Sequence, residues 1–173
     1  MARFQPEEIL RTLERYRVRY VLIGGVAATL HGSPLPTRDA DVCPSPEDAN
    51  LDRLAAALRD MGSRVRSPDT PEGIPFACDA AFLRQMKMLN LTTRFGDLDL
   101  SFEPSGTGGY EDLASRAVRF DLGQDLVVPA AALEDVIRSK EAANREKDRQ
   151  ALPALRLLLE KIRERSRGGG PGT

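Results

Sequence analysis

The chain has 173 residues, of which 41% are hydrophobic and 29% charged, with a net charge of −1 and no Trp. That mixture suits one folded domain with an aliphatic core and excludes fibrous and charge-dominated disordered chains. No apolar run is long enough to span a bilayer, the opening MARFQPEEIL lacks the apolar stretch of a signal peptide, and Cys43 and Cys78 lack CxxC spacing, so the expectation is no membrane, no disulfide framework, no zinc site and a cytoplasmic home.

In chain order, PEEILRTLERY carries apolar residues at helical spacing behind Pro6, with two glutamates in its first turn. VRYVLIGG reads as a strand ending in a glycine pair, and GVAATLHG as a short helix stopped by Gly32. TRDADV alternates and predicts a strand, closed by Pro44 and Pro46. SPEDANLDRLAAALRDMG is the clearest helix, with Ser45 as its expected cap and Gly62 as its stop. SRVR is a short strand, residues 68–75 read as a Pro/Gly-rich loop, and CDAAFLRQ as a turn or two of helix. KMLNLTT and GDLDLSF predict a hairpin turning at residues 94–97, and EPSGTGGY a loop. RAVRFDL and DLVVP predict two more strands turning at Gly123. Two helical segments follow, AALEDVIRSKEAA and NREKDRQALPALRLLLEKIRER, the second kinked or split at Pro153. The expected organisation is a single α+β (mixed α/β) domain over residues 1–165, with a core at 18–128, C-terminal helices at 130–165 and a disordered tail at 166–173.

Charge is unevenly placed, with 14 acids against 7 bases over residues 39–112 and 10 bases against 5 acids over 138–167. A basic face beside an acidic cleft suits a polyanion near bound metal; taken alone, the basic part is better explained by a solvated helix with cations near its C-terminus.

Asp39 and Asp41 carry the strongest chemical signal. On a strand they point to one face with Cα atoms about 6.5 Å apart, a spacing at which two carboxylates share a hard cation. GDLDL offers a third carboxylate, with Asp97 in the turn and Asp99 deeper and therefore preferred. Gly24 and Gly25 leave the backbone open to a phosphate at a helix start.

The pattern Ile23-Gly24-Gly25, thirteen residues, then Asp39-Ala40-Asp41-Val42 resembles the signature of the nucleotidyltransferase superfamily with the DNA polymerase beta-like fold. GGVAATLHGSP, Thr37, GDLDL and LEDVIRSKEAANREKD are similar to its bacterial branch of abortive-infection toxins, over residues 18–155. One departure is Leu35, where relatives often carry Arg; Arg38 is the nearest replacement. The resemblance implies a twisted mixed sheet flanked by helices. It implies Mg²⁺, with Mn²⁺ as the alternative ion, at the catalytic carboxylates Asp39, Asp41 and Asp99. It further implies a nucleoside triphosphate at Gly24, Gly25, Thr37, Arg38 and Lys140. The expected reaction moves a nucleoside monophosphate to a hydroxyl acceptor with release of pyrophosphate. The acceptor could be tRNA, as for a toxin with a cognate antitoxin, or an antibiotic; a non-catalytic binding module of the same fold is the rival.

Other residues carry weaker signals. Arg145, Lys147 and Asp148 suit either an acceptor groove or local ion pairing. Ser33 suits turn capping and His31 a helix-end role, Met86 and Met88 suit packing, and Tyr110 and Phe95 could stack on a base.

Overall fold

The computed structural model describes residues 3–168. Its centre is β1 (Tyr20–Ile23), an apolar run, with β2 (Asp39–Pro44) antiparallel to it. Between them α2 (Gly24–Leu30) turns the chain back. On the other side of β2 lies β6 (Gly96–Ser101), parallel to it and in register, so that Asp39 faces Asp97 and Asp41 faces Asp99. Both strands alternate. Ala40, Val42, Leu98 and Leu100 are fully buried in the core, and the four aspartates stand on the opposite face.

The sheet has the order β4-β3-β5-β6-β2-β1-β8-β7. The expected hairpin is β5 (Met88–Thr93) with β6, pairing Thr93 with Gly96. The Thr93 hydroxyl fixes its turn, donating to the Gly96 carbonyl at 2.7 Å and accepting from the Phe95 amide at 3.0 Å. Outside β5 lie β3 (Arg64–Ser67) and β4 (Thr70–Ile74). The second of these corrects the loop expected at 68–75: Pro71 and Gly73 are tolerated because β4 is an edge strand. At the other edge β7 (Val118–Asp121) pairs antiparallel with β8 (Val127–Ala130), which runs parallel to β1.

The helices supply the rest of the core. α1 (Pro6–Arg15) buries Ile9, Leu10 and Leu13 and packs on α3 (Asp48–Asp60), which buries Leu51, Leu54 and Leu58. Ser45 is not the cap of α3. Glu47 holds that position without a side-chain bond, while Asn50, fully buried, ties the turn by donating to the Ser45 and Arg19 carbonyls at 2.9 Å. Two short helices are α4 (Ala80–Arg84), capped by Asp79, and α5 (Tyr110–Ala114), which the sequence pattern did not announce. α6 (Leu133–Ala143) ends at Asn144 in the left-handed region (φ 49°) and turns into α7 (Glu146–Gly168), packed against it.

Pro153 does not split α7. It is exposed, as is Arg149, whose carbonyl loses its helical partner there. Residues 166–168, expected in the tail, continue the helix; residues 169–173 lie outside the described residues. No described helix is long and apolar enough to cross a membrane.

Candidate active site

A cleft of about 830 Å³ opens on the polar face of the sheet. Gly24, Gly25, Thr37, Arg38, Asp39, Asp41, Asp99 and Lys140 all line it, so the fold brings together the eight residues singled out in sequence. The floor is set by the β2–β6 register, which places two pairs of carboxylates side by side. Ile23 pairs with Asp41 across β1 and β2, and the chain then turns at Gly24 directly over that carboxylate. Gly24 has φ +65°, and a β-carbon there would stand 2.8 Å from Asp41 Cγ and nearer still to Oδ2. Gly25 is similarly close to Thr37, whose hydroxyl donates to the Asp39 carbonyl at 3.1 Å.

The crowding of carboxylates is visible in their proton affinities. Burial, then Asp39 and Asp99, push the Asp41 carboxyl up to about 7, against smaller opposing effects of Lys147 and Lys140. Asp99 is also raised, by burial first; Arg66 opposes this, and Asp39 adds to it. Asp39 and Asp41 are hard oxygen donors on one strand face, and they fit a cation such as Mg²⁺ that keeps waters and phosphate oxygens as its other ligands. Among the described residues no three carboxylate, imidazole or thiol groups converge as a metal cage. Asp99 is already engaged by an arginine. Arg66 Nη2 donates to its Oδ1 at 2.6 Å and to the Leu91 carbonyl at 3.1 Å. Arg66 Nε lies 3.2 Å from Asp97 Oδ2, an ion-pair contact without good hydrogen-bond direction.

Arg66 was missed in sequence. Its only signal there was the alternation Arg64-Val65-Arg66 on a short strand, which puts two cations on one face.

The opposite wall is basic and comes from the α6–α7 elbow. Asp148, fully buried, accepts from Arg145 Nε at 2.7 Å, from the Arg145 amide at 3.2 Å and from Lys140 Nζ at 3.4 Å. Burial raises the Asp148 carboxyl, but Arg145 and then Lys140 more than offset this and hold it below its ordinary value. Arg145 is raised by Asp148 first and also feels Asp41 and Asp39, so it faces the acidic floor. The ion pairing expected here is local, between Asp148 and both Arg145 and Lys140, while Lys140, Arg145 and Lys147 line the cleft.

Other expected contributors sit elsewhere. Phe95 and Tyr110 do not line the cleft; each lies under an arginine, Arg94 and Arg19, at 4.8 Å and 5.6 Å. Met88, expected in packing, is 59% exposed on the cleft rim. His31 ends α2 and its Nε2 donates to the Ala131 carbonyl at 2.8 Å. Ser33 holds the turn by accepting from the Leu35 amide at 3.3 Å. Leu35 and Arg38 line the cleft close together in sequence.

No protein-family model matches the chain, and no curated protein matches it in sequence. Solved structures do. Lincomycin-bound LnuA, a lincosamide antibiotic adenylyltransferase, is similar at a TM-score of 0.57 and 19% identity, over 88% of this chain and 95% of that one. The Thermotoga maritima protein TM1012 is similar at 0.52 and 18%, over 92% and 97%. ANT(2″)-Ia in complex with adenylyl-2″-tobramycin is similar at 0.52 and 13%, over 93% and 96%. The chain thus has the mixed-sheet fold of the nucleotidyltransferases, with two helices following the sheet.

Proposed function

We propose that the chain moves a nucleoside monophosphate from a nucleoside triphosphate to a hydroxyl acceptor, using Mg²⁺ or Mn²⁺ held at Asp39 and Asp41. One observation carries this reading. The glycine turn, the carboxylates and Lys140 line a single cleft, with anionic groups on its floor and cations on the facing wall. The triphosphate lies between them, against the open backbone of Gly24–Gly25 and beneath Lys140, Arg145 and Lys147. A bound ion would supply charge neutralisation between the two aspartates and the phosphates. The acceptor oxygen attacks the α-phosphorus, and a new P–O bond forms as the bond to the bridging oxygen breaks. Pyrophosphate leaves with that electron pair. The hydroxyl proton passes to the Asp99 oxygen that Arg66 leaves free; burial raises the basicity of that carboxylate.

Two acceptor classes suit this chemistry. A tRNA acceptor would fit a toxin with a cognate antitoxin and would use the basic C-terminal helix. The walls favour a small hydroxylated molecule instead. Beyond Asp99 the cleft is lined by Met88, Asn90, Ser101, Pro104 and Ser105, which carry no charge for a polyanion. The basic end of α7, at Arg163 and Arg167, lines a different groove beside β7, about 24 Å along the helix from Lys147.

The test offers each α-labelled nucleoside triphosphate with Mg²⁺ to total tRNA and to a panel of hydroxylated antibiotics including a lincosamide, with the Asp39→Ala/Asp41→Ala double variant alongside. Labelled product and pyrophosphate from the wild type alone are expected. Absence of both, with every nucleotide and both acceptor classes, would favour the binding-module reading over transfer.

A further inference from the structure

The polar face of the sheet brings together Asp39, Asp41, Asp97 and Asp99, and a cation is fixed against two of them. That cation is Arg66. β3 pairs with β5 through Arg64–Thr92 and Val65–Leu91, so Arg66 comes next along the strand on the face that carries Asn90 and Asp99. Three contacts hold its planar head: Asp99 at 2.6 Å, the Leu91 carbonyl at 3.1 Å and Asp97 at 3.2 Å. The pair is sheltered, with the Arg66 and Asp99 side chains 33% and 21% exposed. A guanidinium does not lose its proton in a protein, so this charge is permanent. It sits on the carboxylate that a second divalent ion, bridging toward Asp41, would need.

We infer that Arg66 takes the place of a second divalent cation beside Asp99, so that the cleft holds one such ion, at Asp39 and Asp41, and uses a guanidinium where a second ion would stand. This rests on the reading of Asp39 and Asp41 as an ion site. The charges are consistent with it: one divalent ion and Arg66 offset three of the four carboxylate charges, and the α6–α7 cations face what remains. The arrangement also gives Asp99 one task. With Oδ1 tied to Arg66, its other oxygen is free to take the acceptor proton and is not spent on coordination. Arg66 is thus a positioning residue for Asp99.

The test counts bound Mn²⁺ per full-length chain by electron paramagnetic resonance, with no nucleotide and no turnover. The wild type binds one ion. Arg66→Ala binds two, and adding Asp99→Asn to it returns the count to one. Arg66→Lys, which keeps a cation there, binds one. Arg66→Met, which retains the packing of the side-chain stem, replaces the alanine variant if circular dichroism shows that the latter is unfolded. Two ions on the wild type, or a single ion on a folded Arg66→Ala or Arg66→Met variant, overturns the inference while leaving the Asp39–Asp41 site standing. No ion on the wild type overturns the inference together with the ion-site reading beneath it.

Discussion

Gly24 lies with its α-carbon against the carboxylate of Asp41. The contact is possible because the turn after β1 runs through a positive φ and carries no side chain. Gly24→Ala would place a methyl group into Asp41 and strain the backbone as well. The expected result is a loss of roughly 1–2 kcal/mol of stability and a drop in transfer rate of about a hundredfold, read by thermal unfolding and by pyrophosphate release. Gly25→Ala is expected to be milder, since its backbone is unstrained and its neighbour is the Thr37 side chain.

The fold opposes the charged form of Asp41. Its folded value of about 7 lies above the ordinary 3.8, so in the metal-free protein its contribution is fully present below pH 3.8 and is lost as pH rises through 7. Asp41→Asn should therefore be more stable than wild type at pH 8 in chelator, by up to about 4 kcal/mol at about 1.36 kcal/mol for each pH unit between the two values. The gap should close as pH falls toward 4, and the variant should be inactive throughout. Urea unfolding at three pH values checks the sign; a variant less stable than wild type at pH 8 contradicts it.

Asp148 is buried, and its charge meets Lys140 and Arg145, which line the cleft. Asp148→Asn keeps the shape but removes the charge that holds both cations at the elbow. A stability loss of about 1.5–3 kcal/mol follows from weakened charge-assisted bonds. The KM for the nucleoside triphosphate should rise at least tenfold, with a smaller change in kcat. An unchanged KM would mean that the elbow cations do not meet phosphate.

Asp112 gives the opposite pH signature. Its carboxyl is lowered to about 2, first by the Gly108 amide, then by Arg116, with Arg138 adding to the effect. Such a group stabilises the fold above pH 3.8, and the contribution is lost as pH falls through 2. Wild type should exceed Asp112→Asn in melting temperature at pH 6, and the difference should vanish near pH 2.

Much of this site was legible from alternation alone. Asp39-Ala40-Asp41-Val42 and Asp97-Leu98-Asp99-Leu100 are half-buried strands whose period places every carboxylate on one face, and the structure keeps that face intact. The deeper position of Asp99 was also legible: its side chain is less exposed than that of Asp97, and it stands opposite Asp41. β4 was hidden by Pro71 and Gly73, which break strand patterns but are harmless at an edge. α5 was hidden by its length of one turn and a half, and the continuity of α7 by Pro153. Arg66 was hidden for a different reason. Its role depends on which strand β3 pairs with, and no local pattern states that.

The parallel pairing of β2 with β6 has a consequence for how the molecule matures. The two strands are separated in the chain by α3, β3, β4, α4 and β5, so their contact closes one of the longest loops in the fold. The hairpins β3–β4, β5–β6 and β7–β8 need only local closure and can form early. The carboxylate floor comes into being only when the two halves of the sheet join. During refolding, a probe of the cross-strand contact between Asp41 and Asp99 would therefore time that joining, well after the return of most secondary structure.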